Sequence, residues 1–446
     1  MKLINGGKRL FSLLLVVFLL AACSSEPKKE DGSADTNQEA NDNGTTNEVD
    51  NEDTNEDTND DQPSEAISGK IVYSAWGNAE EKKMEEDMIA AFKKAYPEVE
   101  VEYIHVDGNY EQKLQTMIAG GTTPDVMAIG GGHVATFQAA FQPITMDNVD
   151  TSKYISDTLV KGLSIDGVQY ALPKRVNTKV MAYNMDLLQE AGVDIPVGDV
   201  SLDEFVTLAT DVSKLPDRDG LKIYGSDPLW AGQVIYQHGG RLFTEDGKTS
   251  LANSKEVIDA VQYCIDAYKV HGFAPSPAES SGVNMMDMFL GGYVGFKGDF
   301  GPYFLPLLEE VTSLNWDITS PAGQGGEMEI VGIALSGKTK NKAAAEAFVT
   351  FVSTSAEAQR VVANGANLPV TNDAKEVFVN RMPDKNLEAF FEAMTYEVPQ
   401  PMITEPEVYG TFYKALFDRT ELGNSGKEDV ATVLEEVKKE MDAILN

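Results

Sequence analysis

The sequence has little cysteine, little positive charge and none of the common catalytic signatures. Two cysteines among 446 residues exclude a disulfide framework and a thiolate zinc site. The 36 Lys and Arg are outnumbered by 71 Asp and Glu, leaving a formal charge of −35. Such a chain repels phosphate backbones, which excludes nucleic acid as a principal partner. The four histidines, His105, His133, His238 and His271, form no His-Glu-x-x-His pair, and no Gly-x-Ser-x-Gly elbow occurs. Gly423 to Lys427 is too short for a phosphate loop and runs into Glu428. Asp217-Arg218-Asp219-Gly220 is a turn, since the first and twelfth positions of a calcium loop would be Leu215 and Ser226. No catalytic residue, metal site or cofactor is implied, and Cys264, inside an apolar helical run, reads as a buried inert thiol. Carboxylate pairs abound at this composition, so a glycosidase pair is not separable from solvated charge.

What is present begins with targeting. Lys2, Lys8 and Arg9 precede an apolar run from Leu10 to Leu20, and Leu20-Ala21-Ala22-Cys23 follows. The run is short for a spanning helix, which needs ~20 apolar residues. It resembles a bacterial lipoprotein signal with its lipobox. That resemblance implies removal of residues 1–22, diacylglycerol on the Cys23 thiol, and attachment to the outer face of a Gram-positive cell membrane. From Glu26 to Glu65 there are fifteen acids and two lysines, a net of −13, with almost nothing to bury. Residues 23–65 therefore read as a lipidated cysteine and a disordered, self-repelling tether. With that −13 and the +3 of the signal removed, the remainder still carries −25.

The folded part opens with the β-type run Ile71 to Trp76. A helix is predicted from Glu80 to Tyr96, with Met84, Met88, Phe92 and Ala95 on one face and Pro97 as its stop. Val99 to Val106 alternates as a strand, Tyr110 to Ala119 is a second amphipathic helix, and Asp125 to Ile129 is a third strand. Strands separated by such helices predict βαβ units, a parallel sheet, and a ligand site beyond the strands' carboxyl ends. Further strands are predicted at Val180 to Tyr183, Tyr293 to Phe296, Trp316 to Thr319 and Gly332 to Leu335. Further helices are predicted at Leu202 to Lys214, Lys255 to Val270, Ala343 to Ser353 and Glu428 to Leu445. The length suits two α/β lobes.

Gly120-Gly121-Thr122-Thr123-Pro124-Asp125-Val126, Ala171-Leu172-Pro173, Tyr183-Asn184 with Asp186 to Val193, and Asn367-Leu368-Pro369-Val370 stand in an ordered set. From Ile71 to Leu445 the chain resembles extracellular solute-binding proteins of the carbohydrate class that serve ABC importers, related to maltose-binding protein. It departs from many members at Val200 to Phe205, where Thr-Trp precedes Asp-Glu elsewhere. The resemblance implies a periplasmic-binding-protein-like type II α/β fold, with two lobes, a multi-segment hinge and a ligand cleft. It places residues 66–176 plus 322–370 in the N-terminal lobe and 177–321 plus 371–446 in the C-terminal lobe. Crossings are expected near Arg175 to Lys179, Asp317 to Pro321 and Pro369 to Asp373, where Pro, Gly, Ser or Thr suits hinge motion. It further implies a monomer that holds a sugar and hands it to an ABC permease. Two other readings fit the composition: a receptor for a polyamine or metal ion in the same fold, and a surface glycoside hydrolase.

A sugar offers an apolar ring face and a rim of hydroxyls, so its site needs flat aromatics and short polar side chains. Trp76 and Trp230 are the aromatic candidates. The resemblance adds Phe300 and Phe412 as stacking residues and Asn177 at the position of an acidic sugar ligand. Asp299 follows a strand and a glycine. Gly131 and His133 lie in the glycine run after the third strand, where backbone approaches a ligand. Asn78 and Glu80 open the first helix, where capping is the competing role of Asn78, and Asp125 begins a strand, where a structural role competes.

Overall fold

The computed structural model describes residues 67–195, 198–405, 407–423 and 426–446; the expected signal segment, Cys23 and the acidic stretch to Glu65 lie outside the described residues. The strands are, in chain order, β1 Gly69–Trp76, β2 Val99–Val106, β3 Val126–Gly130, β4 Ser164–Ile165, β5 Val168–Gln169, β6 Ala171–Asn177, β7 Val180–Asn184, β8 Tyr224–Ser226, β9 Val294–Phe300, β10 Trp316–Thr319, β11 Glu327–Leu335 and β12 Val398–Pro399.

The opening βαβ unit follows from the residue pattern. Ile71, Tyr73 and Ala75 alternate into the core, which is what a strand with one covered face requires. Asn78 then caps the helix Ala79–Ala95, accepting from the Glu81 amide at 2.9 Å while Glu81 accepts from the Asn78 amide at 3.0 Å. That helix buries Met84, Met88, Ile89 and Phe92 and ends before Pro97. The chain returns as β2, parallel to β1 over its whole length.

The first sheet has the order β12-β11-β3-β1-β2, with β6 also paired to β11. Its β1, β2 and β3 are parallel, as the βαβ pattern predicts, but β11 runs antiparallel to both β3 and β6, so the sheet is mixed. The sequence pattern missed this because β11 arrives from far along the chain, about 200 residues after β3. The second sheet has the order β10-β7-β9-β8.

The backbone leaves the first sheet between Asn177 of β6 and Val180 of β7, and returns between Thr319 of β10 and Glu327 of β11. Both crossings fall near the expected places. The third does not. Helix Asn372–Val379 continues to pack on helix Ala356–Ala363 through buried Ala374 and Phe378; the chain then meets β10, where the Asn386 amide donates to Asp317 at 2.8 Å, and helix Ala389–Ala393 contacts β7. Residues 398–399 then rejoin the first sheet beside β11. The stretch 371–446 is therefore divided: an expectation drawn from Pro and Thr at 369–373 had no access to these apolar contacts. The last part packs Phe412, Val433, Leu434 and Val437 against Val234 and Val261 in a helical core of its own.

Candidate functional site

Where the loops after β3 and β6 meet the first residues of β11, the molecule is concave. One cavity of about 290 Å³ is lined by Lys179, Trp230, Gln233, Tyr236, Asp299, Tyr303, Glu327, Glu329, Gln400, Tyr409 and Tyr413, among others. A neighbouring cavity of about 440 Å³ shares Trp230, Glu327, Glu329, Gln400 and the two tyrosines of helix Glu407–Arg419, Tyr409 and Tyr413, and adds Gly132 and His133. This lies off the carboxyl end of β3, as expected for an open α/β sheet.

Its aromatic wall is a stacked pair, Trp230 and Tyr413, with ring centroids 4.7 Å apart and planes 21° from parallel. Trp230 is the residue just before helix Ala231–Gln237, and Gly232 permits the pair: a Cβ there would stand 2.5 Å from the indole nitrogen and 2.6 Å from the Tyr413 hydroxyl. Trp230 remains 42% exposed. A larger, more apolar cavity of about 540 Å³, with Cys264, Tyr268 and Phe417 in its wall, also touches this pair but holds none of the charged groups that follow.

Polar groups face the aromatic wall. Relative to β7, β9 carries one extra residue between Lys297 and Phe300, a bulge that puts Asp299 at φ +45°. Bulges re-aim side chains, and Asp299 here lines the cavity. Asp227 holds Lys297 Nζ at 2.8 Å and accepts the Gly298 amide at 2.9 Å, which fixes the bulge from behind. Lys179, on the crossing from β6 to β7, donates to the Tyr303 hydroxyl at 2.9 Å and lies 3.7 Å from Glu329. Its backbone amide donates to Glu397 at 2.8 Å. Tyr236 donates to Glu327.

Burial sets the electrostatics. It pushes the carboxyls of Asp299, Glu327 and Glu397 above the usual range, Glu397 most of all. Burial alone would lower the Lys179 ammonium, but Glu329, Asp299 and Tyr303 outweigh it and hold it above its ordinary value. Among the described residues, no group of three or more His, Cys, Asp or Glu is arranged to hold a metal ion.

Of the residues expected from sequence, Trp230, Asp299 and His133 line these cavities. Phe300 and Phe412 do not. Both are 0% exposed, Phe300 against Phe304, Trp316 and Phe390 and Phe412 inside the terminal helical core, so neither has a free face for a ligand. Asn78 is engaged as a helix cap, and Glu80 is exposed beside it. Asp125 accepts the Val72 amide at 2.8 Å, a bond that joins its loop to β1. Gly131 is buried where a Cβ would meet the Ile330 carbonyl at 3.1 Å, so it serves the turn out of β3, and its neighbour Gly132 faces the cavity. Trp76 packs on Tyr110 at 4.9 Å, with the Arg175 guanidinium 5.6 Å over its ring. Asn177 is buried at the end of β6, its side-chain oxygen without a partner among the described residues. Sequence reasoning missed Lys179, Tyr236, Glu327, Glu329, Gln400 and Tyr413; only Tyr413 had a signal, as the neighbour of Phe412 on an amphipathic helix.

Residues 76–360 match the family described as bacterial extracellular solute-binding protein. The chain is 25% identical over 198 residues to an arabinooligosaccharide-binding protein of Halalkalibacterium halodurans; the match covers 42% of this chain and 44% of that one, so less than half of that relative's length is spanned. An ABC substrate-binding protein of Listeria monocytogenes, solved in complex with cycloalternan, superposes with a TM-score of 0.72 at 24% identity, covering 84% of this chain and 98% of that one. A cyclic alpha-maltosyl-1,6-maltose binding protein of Arthrobacter globiformis gives a TM-score of 0.70 at 18% identity, covering 85% and 99%. These likenesses establish the type II periplasmic-binding-protein-like fold, and with the match over most of the described chain this protein belongs to the bacterial extracellular solute-binding protein family.

Proposed function

We propose that this protein is the substrate-binding component of an ABC importer, that it captures a sugar in the cleft beside Trp230 and passes it to a permease, and that the lipid on Cys23 holds it at the membrane. The observation that carries this reading is the composition of one cavity: a stacked Trp230–Tyr413 pair shares its lining with Asp299, Glu327, Glu329, Gln233 and Gln400. An aromatic face takes a sugar ring, and carboxylate and amide groups pair its hydroxyls. The ligands for which its relatives are named or with which they were solved, arabinooligosaccharides, cycloalternan and cyclic alpha-maltosyl-1,6-maltose, support the same class. A second reading, a polyamine receptor, is favoured by the excess of acid in the cavity. A thermal-shift screen over sugars, sugar alcohols and polyamines, followed by calorimetry and a chromatographic check for product, separates the two and excludes hydrolysis. Sugar binding without turnover is the expected result.

The first sheet with its helices and the second with its own form the two lobes of this receptor. A ligand touching both favours the closed population by its differential affinity. Small-angle scattering of the full chain should then show a smaller radius of gyration at saturating sugar. An unchanged profile would leave a rigid pocket.

Anchoring gives a separate expectation. Cys23→Ala removes the acyl chains, each buried methylene of which contributes ~0.8 kcal/mol to membrane partitioning. The variant should leave the membrane fraction in a salt wash that retains the parent protein; retention of the variant would remove the lipid from the proposal.

A further inference from the structure

The cavity beside Trp230 is more acidic than a neutral sugar requires. Asp299, Glu327 and Glu329 line it with one cation, Lys179. The other nearby ammonium, Lys297, is taken up by Asp227 at 2.8 Å and by the Gly298 carbonyl at 2.6 Å. Three carboxylates thus line the ligand space with one ammonium, itself bonded to Tyr303 and beside Glu329.

Their hydrogen bonding is uneven. Glu327 accepts from Tyr236, and Glu329 lies 3.7 Å from Lys179. The Asp299 carboxylate feels Lys179 and Lys297 through space but accepts no hydrogen bond from the described residues. It is nevertheless held at φ +45° by the bulge in β9, a conformation that needs support from its surroundings. Burial already disfavours its charged form, and closing the cleft would expel more water. A neutral sugar bonds to such a carboxylate through hydroxyls without offsetting its charge, and an uncompensated buried charge is costly. A protonated amine does both. The walls suit it too, because Trp230, Tyr409 and Tyr413 line the cavity and aromatic rings attract cations as well as sugar rings. The net charge of −35 adds long-range attraction for cations.

We infer that the sugar taken by this cavity carries a free, protonated amine, an amino sugar whose ammonium sits against Asp299 and Glu329 while its ring lies on the Trp230–Tyr413 wall. This rests on the sugar-receptor reading above.

Calorimetry on the full chain tests it with matched sets that differ at one substituent. Glucosamine, N-acetylglucosamine and glucose form one set, each also as its β-1,4-linked disaccharide; galactosamine, N-acetylgalactosamine and galactose form another. Maltose, an arabinooligosaccharide and spermidine complete the panel. The amine form should bind about tenfold or more tightly than both of its matched neutral forms. That ratio should fall to about threefold or less in Asp299→Asn, chosen because asparagine tolerates φ above zero. Glu329→Gln, at a partly exposed strand position, gives a second measure of the same ratio. Neutral or N-acetyl forms binding as tightly as the amine, or no amine form binding while other sugars do, overturn the inference and leave the sugar receptor standing. An amine preference unchanged in both variants also overturns it. Spermidine binding with no sugar bound removes the receptor reading and this inference together.

Discussion

Glu85→Ala should remove about 3–5 kcal/mol of folding stability, the usual result of leaving one member of a buried ion pair alone. Lys174 is 0% exposed and Glu85 1%, and their charged ends are in contact. Tyr73 closes the triangle, accepting from Lys174 at 2.9 Å and donating to Glu85 at 2.8 Å. Burial pulls the Lys174 ammonium down to about 8, and Glu85 works against that pull. Without Glu85 nothing comparable opposes burial, so the folded lysine holds its proton more weakly than the unfolded one. The unfolded chain then binds more protons, and stability must rise with pH. The parent lysine itself gives up its proton near 8, so above that pH the parent gains stability at the same rate; the deficit of Glu85→Ala should therefore shrink as pH rises to about 8 and stay level from there to about 10. Urea titrations across that range check both the size and the slope. Replacing all three partners at once, as Glu85→Leu, Lys174→Met and Tyr73→Phe, should recover most of the loss, because no buried polar group is then left unpaired.

Trp230→Ala should weaken binding of the cognate sugar by about 1.5–3 kcal/mol, or about ten- to a hundredfold in dissociation constant. The indole stacks on Tyr413 and lines both cavities of the cleft, so its loss removes a face on which a ring would lie. At 42% exposure it contributes less to the fold than a core aromatic does, and the urea midpoint should move little. Calorimetry and denaturation of the same variant decide the matter. Unchanged affinity with a lowered midpoint would make Trp230 a packing residue and displace the site.

Local pattern carried much of the architecture. Alternation in Ile71 to Trp76 and Val99 to Val106, and the helical spacing of Met84, Met88 and Phe92, predict elements that the structure places within a residue or two of the expected ends. Such periodicity works because each element buries one face of its own. It fails where burial is decided by another part of the chain. Arg175 and Asn177 read as part of a hinge, yet they lie with Lys174 in β6 and are buried because β11 pairs beside them. Gly332 to Leu335 was legible as a strand. The polar start of the same strand was not, and Glu327 and Glu329 went unnoticed as ordinary members of a charged surface.

Neighbouring residues make the contrast sharpest. Asp299 and Phe300 are adjacent, and so are Phe412 and Tyr413; in each pair the resemblance pointed to the phenylalanine, while the cavity is lined by the other member. On helix Glu407–Arg419 the reason is visible in retrospect: Val408, Phe412, Ala415 and Leu416 form one buried stripe, and Tyr413 lies about 100° round from Phe412, off that stripe. In β9 the strand and glycine before Asp299 made it a candidate, but the bulge that turns it toward the cavity exists only relative to β7, more than a hundred residues earlier. What the sequence determined by itself was the acid balance, the order of the opening βαβ elements and the prominence of Trp230, because these depend on composition and on spacing within a segment. Tertiary structure alone decided which acids and aromatics share the cleft, because that cleft is lined by β9, β11, the loops after β3 and β6 and the last helices, and only their packing determines which side chains stay outside the core.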